Sequence, residues 1–99
     1  MSGCRHVALF VFRDDVTPEQ IAAVGEGLAG LPAQIPELRA YRFGPDLELS
    51  DGNHQYAVVA DFEDVDGFVA YRDHPAHQAV LADRIRPILA ARAAVQYDI

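Results

Sequence analysis

The chain has 99 residues, 51% of them hydrophobic and 23% charged, with a formal charge of −7, which leaves room for one core, so residues 1–99 are expected to form a single domain. Its eight basic residues, all arginine, face fifteen acids and leave no basic stripe for nucleic-acid phosphates; a lone cysteine, Cys4, excludes an internal disulfide. No apolar run approaches the roughly 18–20 residues of a membrane span, and Met1-Ser2-Gly3-Cys4-Arg5-His6 has no apolar stretch ahead of a small-residue cleavage site, so a cytoplasmic protein is expected.

Arg5–Arg13 alternates as a strand, with His6, Ala8, Phe10 and Phe12 on one face and Val7, Leu9 and Val11 on the other. Asp14-Asp15-Val16 turns the chain. Thr17-Pro18-Glu19-Gln20 then reads as a helix start: a capping hydroxyl, proline at the first helical position and a glutamine three residues after the threonine. Ile21, Val24, Leu28 and Leu31 follow at helical spacing, and Gly30-Leu31-Pro32 should end the helix. A loop with Pro32 and Pro36 leads to a second strand near Leu38–Phe43, which Gly44-Pro45-Asp46 bends or ends and which Leu47 and Leu49 could prolong. Ser50-Asp51-Gly52-Asn53 should connect a hairpin to a third strand, about His54–Phe62. Asp64 is placed to cap a second helix over Val65–Asp73. Pro75 interrupts it and can restart a helix through about Arg84–Arg86, until Pro87 ends it. The tail Arg92–Asp98 alternates as a fourth strand.

The order β-α-β-β-α-β points to an α+β, ferredoxin-like antiparallel sheet with both helices on one face. Such a sheet normally turns its other face to water, yet here both faces of the first strand are apolar. Burying one aliphatic side chain is worth roughly 1.5–3 kcal/mol, so leaving three or four wet would consume much of the ~5–15 kcal/mol by which a domain is stable. A homodimer with sheets packed face to face is therefore expected, through Val7, Leu9, Val11, Ala57 and Val59, since the larger aromatics of the other parity suit the helices.

Arg5-His6-Val7 opening the first strand, Thr17-Pro18-Glu19, Gly44 after the second strand, and above all Tyr71-Arg72-Asp73-His74-Pro75-Ala76-His77 resemble the stress-responsive A/B barrel (Dabb) domain family over nearly the whole chain. The resemblance implies a dimeric α/β barrel. It also implies the acid/base chemistry of its few members with an assigned activity, which work without a cofactor, closing a polyketide ring or cleaving a cyanohydrin. By resemblance the catalytic pair falls on Tyr71 and His77, with His6 in the same pocket between sheet and helices. The middle of the first helix departs from the cyclase-like members: where they carry bulky aromatics it reads Val24-Gly25-Glu26-Gly27-Leu28, so the shape of the substrate does not carry over.

The residues themselves support a similar site. His77 lies four residues before Leu81 and eight before Ile85, on the stripe that faces the sheet; near its ordinary pKa an imidazole can remove a proton beside a carbonyl. The structural alternative is a core histidine bonded to a backbone carbonyl. Tyr71 can donate to a developing oxyanion, or simply continue the Phe68 stripe as core. In an unbroken helix six residues at 100° each leave Tyr71 and His77 about 120° apart, so the break at Pro75 must swing them together. His6 with Ala8, Phe10, Tyr56, Val58 and Ala60 forms one expected wall, and Val24, Leu28, Val65, Phe68 and Leu81 the other. Gly25 and Gly27 either let helix and sheet approach closely or widen the pocket. His74 and His77 have a chelating spacing, but no third and fourth ligand is nominated, and Asp61, Asp64 and Asp66 read as a solvated run at a helix start, so no metal and no cofactor is expected.

The expected function is a lyase or cyclase acting on a small apolar, polyketide-like carbonyl compound, with His77 as base and Tyr71 as donor. The alternative is a non-catalytic homodimeric domain that binds a small molecule or a partner in stress. A cofactor-free monooxygenase is the weaker third reading, since the chain has no tryptophan and the His-Pro-x-His element belongs to the other branch.

Overall fold

The computed structural model describes residues 3–99, so Met1 and Ser2 of the N-terminal segment lie outside it. Nine residues of strict alternation make β1, Cys4–Phe12, whose even-numbered side chains are buried while the odd-numbered ones are half-covered. Helix α1, Pro18–Ala29, begins as its sequence requires: the Thr17 hydroxyl accepts from the Gln20 backbone, the Gln20 side chain accepts from the Thr17 N–H, and proline occupies the first turn. Gly30 closes it. The strands β2, Ala40–Pro45, and β3, Tyr56–Phe62, follow, then α2, Val65–Asp73, capped by Asp64 through the Gly67 N–H, and α3, Pro75–Val80. A π-helical turn over Leu81–Ile85 and a 3₁₀ turn over Arg86–Ile88 lead into β4, Leu89–Asp98.

The four strands form one antiparallel sheet in the order β2-β3-β1-β4. With the helices on one face this is the α+β, ferredoxin-like βαββαβ arrangement. The core lies between that face and the helices, built on Phe10, Phe12, Val58 and Phe62 from the sheet and Val24, Leu28, Tyr71 and Ile85 from the helical side. Among the described residues no helix is long and apolar enough to cross a membrane.

Two expectations fail between β2 and β3. Leu47 and Leu49 do not prolong the strand: they stand in a loop at 79% and 81% exposure. The backbone turns there because Glu48 takes a left-handed conformation (φ 61°), held by the Asp46 carboxylate, which accepts from the Glu48 N–H and from Asn53 Nδ2. His54 belongs to this loop too, and β3 starts at Tyr56. The segment after α1, in contrast, is not a bare connection. Leu31 and Ile35 have no exposure at all and plug the end of the core.

Gly25 and Gly27 permit close packing. A Cβ at Gly27 would meet Arg84 Cδ at 2.7 Å and Val80 Cγ1 at 3.2 Å, and one at Gly25 would meet the Tyr56 hydroxyl at 3.3 Å. Arg84 uses this approach to donate to the Ala23 carbonyl at 2.7 Å. The opposite face of the sheet carries Val7, Leu9, Val11, Ala57 and Val59, continued on β4 by Val95 and Tyr97, paired with Val7 and Arg5 respectively. In the single chain Val95 and Tyr97 are 54% and 46% exposed, so this face is a continuous apolar surface. Among the described residues its one ion pair is the fork of Arg5 on Asp61, at 2.6 and 2.8 Å.

Candidate active site

A cavity of about 490 Å³ opens between the sheet and the helical segment from Phe68 to Arg86. Strand β1 supplies His6, Ala8 and Phe10, because inward parity and the helix-covered face coincide there. Small Ala8 leaves the space that its aromatic neighbours would otherwise close.

The two candidate residues on the helical side are brought together by the break between α2 and α3. His74 adopts an extended backbone (φ −63°, ψ 134°), as a residue before proline prefers, and caps α3 by accepting the Ala76 N–H on Nδ1 at 3.0 Å. The restarted helix then lays the His77 ring on Tyr71, with centroids 4.1 Å apart and planes tilted by 33°. His6 stands 6.2 Å from Tyr71, centroid to centroid, and 5.0 Å from Phe68.

Hydrogen bonding sets the tautomers. His77 Nδ1 lies 3.0 Å from the Arg72 carbonyl oxygen. A carbonyl only accepts, so neutral His77 carries its proton on Nδ1 and a lone pair on Nε2. His6 is the reverse: Gln96 Nε2, a donor, lies 2.8 Å from its Nδ1, which leaves the proton on Nε2. Neither Nε2 has a protein partner among the described residues, and no fully buried side-chain nitrogen or oxygen there lacks one. Both Nε2 atoms therefore meet accessible space, and the space both residues line is the cavity. One wall thus presents an acceptor and the other a donor.

Burial holds both imidazoles neutral. It lowers the His6 pKa from 6.5 to about 4, helped by the positive charge of Arg92 and by His77. It also lowers His77, the Arg72 carbonyl opposing it and Arg86 and Arg92 adding to it. The Tyr71 hydroxyl pairs with Tyr41 at 2.9 Å. Burial raises Tyr71 to about 12 and Tyr41 further, the bond from Tyr41 easing Tyr71 downward.

His6, Ala8, Phe10, Leu28, Val58, Phe68, Tyr71, His77 and Leu81 all line the cavity. Four expected wall residues do not. Val24 and Ala60 have no exposure and are sealed in the core, while Tyr56 sits at the start of β3, stacked on Phe10 with its hydroxyl near Gly25. Val65 begins α2 immediately after the Asp64 cap, where its side chain turns to solvent at 65% exposure. Sequence reasoning missed Arg72, Gln78, Ile85, Arg86, Leu89, Arg92 and Gln96. The alternation of β4 held a signal for Arg92 and Gln96, but only the register, Phe10 opposite Arg92 and His6 opposite Gln96, shows which parity faces inward. His74 spends its Nδ1 on the helix cap, and among the described residues no group of three or more His, Cys, Asp or Glu side chains is placed to hold a metal ion.

Fold and cavity define the class: a ferredoxin-like α+β chain whose sheet and broken second helix enclose a histidine-bearing cavity. The sequence profile of the stress responsive A/B barrel domain (Dabb) matches residues 4–99, and the chain belongs to that family. A stress-response A/B barrel domain-containing protein of Arabidopsis thaliana is 33% identical over 79 residues, 77% of this chain and 68% of its own length. A dimeric ferredoxin-like protein of unknown function from Thermobifida fusca is 54% identical with a TM-score of 0.92, over 99% of this chain and 92% of that one. The hydroxynitrile lyase of Passiflora edulis shares the fold at 19% identity, with a TM-score of 0.84 over 98% and 93% of the two chains.

Proposed function

We propose that the chain is a homodimeric, cofactor-independent acid/base lyase or cyclase for a small carbonyl compound, with His77 as base. The observation that carries this reading is the bond of His77 Nδ1 to the Arg72 carbonyl, which commits the lone pair to Nε2 beside an open cavity. In a ring closure Nε2 takes the proton from the carbon next to a ketone, and the C–H electron pair becomes an enolate. The oxygen of that enolate accepts from His6 Nε2–H, and from Tyr71 while Tyr41 donates to Tyr71. The enolate carbon attacks a second carbonyl, and the imidazolium returns its proton to the alkoxide formed. In a cyanohydrin cleavage the same base takes the hydroxyl proton as the C–C bond breaks, and cyanide leaves with a proton from the imidazolium.

A similar Thermobifida fusca protein is dimeric, which supports dimerisation here. The apolar face of Val7, Leu9, Val11, Ala57 and Val59 is the interface we assign. One observation favours binding without turnover instead: the Tyr71 hydroxyl is held by Tyr41, which does not line the cavity. Turnover of aromatic cyanohydrins, read as aldehyde absorbance, separates the two. His77→Gln is expected to lower kcat/KM by at least about a hundredfold with the circular dichroism unchanged. Full activity in that variant would overturn the assignment of the base.

A further inference from the structure

The chain has fifteen acids and eight arginines, yet the cavity wall reverses that balance, with Arg72, Arg86 and Arg92 and no Asp or Glu. Arg72 is neutralised by a two-pronged pair with Asp73 at 2.8 and 3.1 Å. Arg86 and Arg92 form no ion pair among the described residues; Arg13 and Arg42 form none either but do not line the cavity, whereas Arg5, Arg39 and Arg84 each have an acid. Their fields reach the inner wall: both guanidinium charges disfavour protonation of His77, and that of Arg92 also disfavours protonation of His6.

Arg86 is at the wall because of an irregularity. Its N–H donates to the Leu81 carbonyl, an i→i+5 bond that closes the π-helical turn and sets Arg86 one turn above Leu81. In a regular α-helix five residues at about 100° each would leave it roughly 140° away, on the solvent side. Arg92 arrives from the opposite side, on edge strand β4, opposite Phe10.

We propose that the cavity takes a monoanionic amphiphile, a small carboxylic acid whose carboxylate lies against Arg86 and Arg92 and whose apolar body lies against Phe10, Leu28, Val58 and Leu81. The proposal rests on reading this cavity as the ligand site and names the class of ligand; it does not depend on turnover. Two free guanidinium forks match a carboxylate, and an overall charge of −7 disfavours a more highly charged ligand.

The test is equilibrium binding of three probes with one ring system: 2-naphthoate, neutral 2-naphthamide and 2-naphthyl phosphate. 2-Naphthoate is expected to bind at least about tenfold more tightly than the amide, and to weaken when salt rises from about 0.05 to 0.5 M while the amide does not. Arg86→Gln with Arg92→Gln, both at exposed positions, should bring acid and amide to parity. His77→Gln should keep the preference for the acid, so failure of the catalytic assignment leaves this one standing. Equal affinities in the wild type, a preference that survives the double substitution, tighter binding of the phosphate, or no binding of 2-naphthoate at its solubility limit would each overturn it.

Discussion

His6 makes the fold sensitive to acid, and the size of the effect follows from its burial. In the folded chain its pKa falls from 6.5 to about 4, through burial first, the charge of Arg92 second and the neighbouring His77 third. Because the folded value is the lower one, the unfolded chain takes up the proton first as pH falls. The contribution is therefore whole above pH 6.5 and is lost as pH drops toward 4. For one such group the loss is about 1 kcal/mol at pH 6, about 2 at pH 5 and about 3 at pH 4. Urea unfolding of wild type and His6→Gln, at fixed protein concentration from pH 8 to 4, isolates this term, since other titrating groups remain in both. The wild type should lose about 3 kcal/mol more than the variant over that range. Parallel stability curves, or a His6 Cε1–H resonance that titrates near pH 6.5 in the folded protein, would refute the reasoning.

Leu9→Glu places a charge in the middle of the apolar sheet face and should produce monomers or unfolded chain by light scattering and circular dichroism; a folded dimer of wild-type size would sink the proposed interface. Ile35→Ala removes a side chain with no exposure from a segment that has no regular secondary structure. It should cost about 2–5 kcal/mol in urea unfolding. A cost near zero would show that the segment is not part of the core.

Most of the fold was legible because local signals agreed with one another. The Thr17–Gln20 capping box, the Asp64 cap and the Pro75 restart each mark a helix start to the residue. Alternation in β1 and β3 showed which side chains point inward. It was weaker where polar side-chain bonds shape the backbone, as with Asp46 and Glu48, and where a loop buries apolar residues without a period, as with Leu31 and Ile35. Ile35 looks like any apolar residue near two prolines until the end of the core is seen to be open there.

The site was half legible, and the boundary has a physical reason. A proline announces that a helix breaks, but the angle of the break comes from packing. Nothing in the spacing of Tyr71 and His77 yields the 4.1 Å stack that the extended backbone of His74 produces. The π-helical turn carries even less signal, since no residue type marks an i→i+5 bond and the helical period places Arg86 in solvent. Regular geometry over 71–86 would scatter the very groups that meet at this cavity: Tyr71 and His77 would face apart, and Arg86 would leave the wall. The two irregularities bracket α3, one at each end, and each aims a polar side chain at the same enclosed space. Departures that a stable helix would avoid are thus concentrated where they lay His77 on Tyr71 and set Arg86 on the cavity wall.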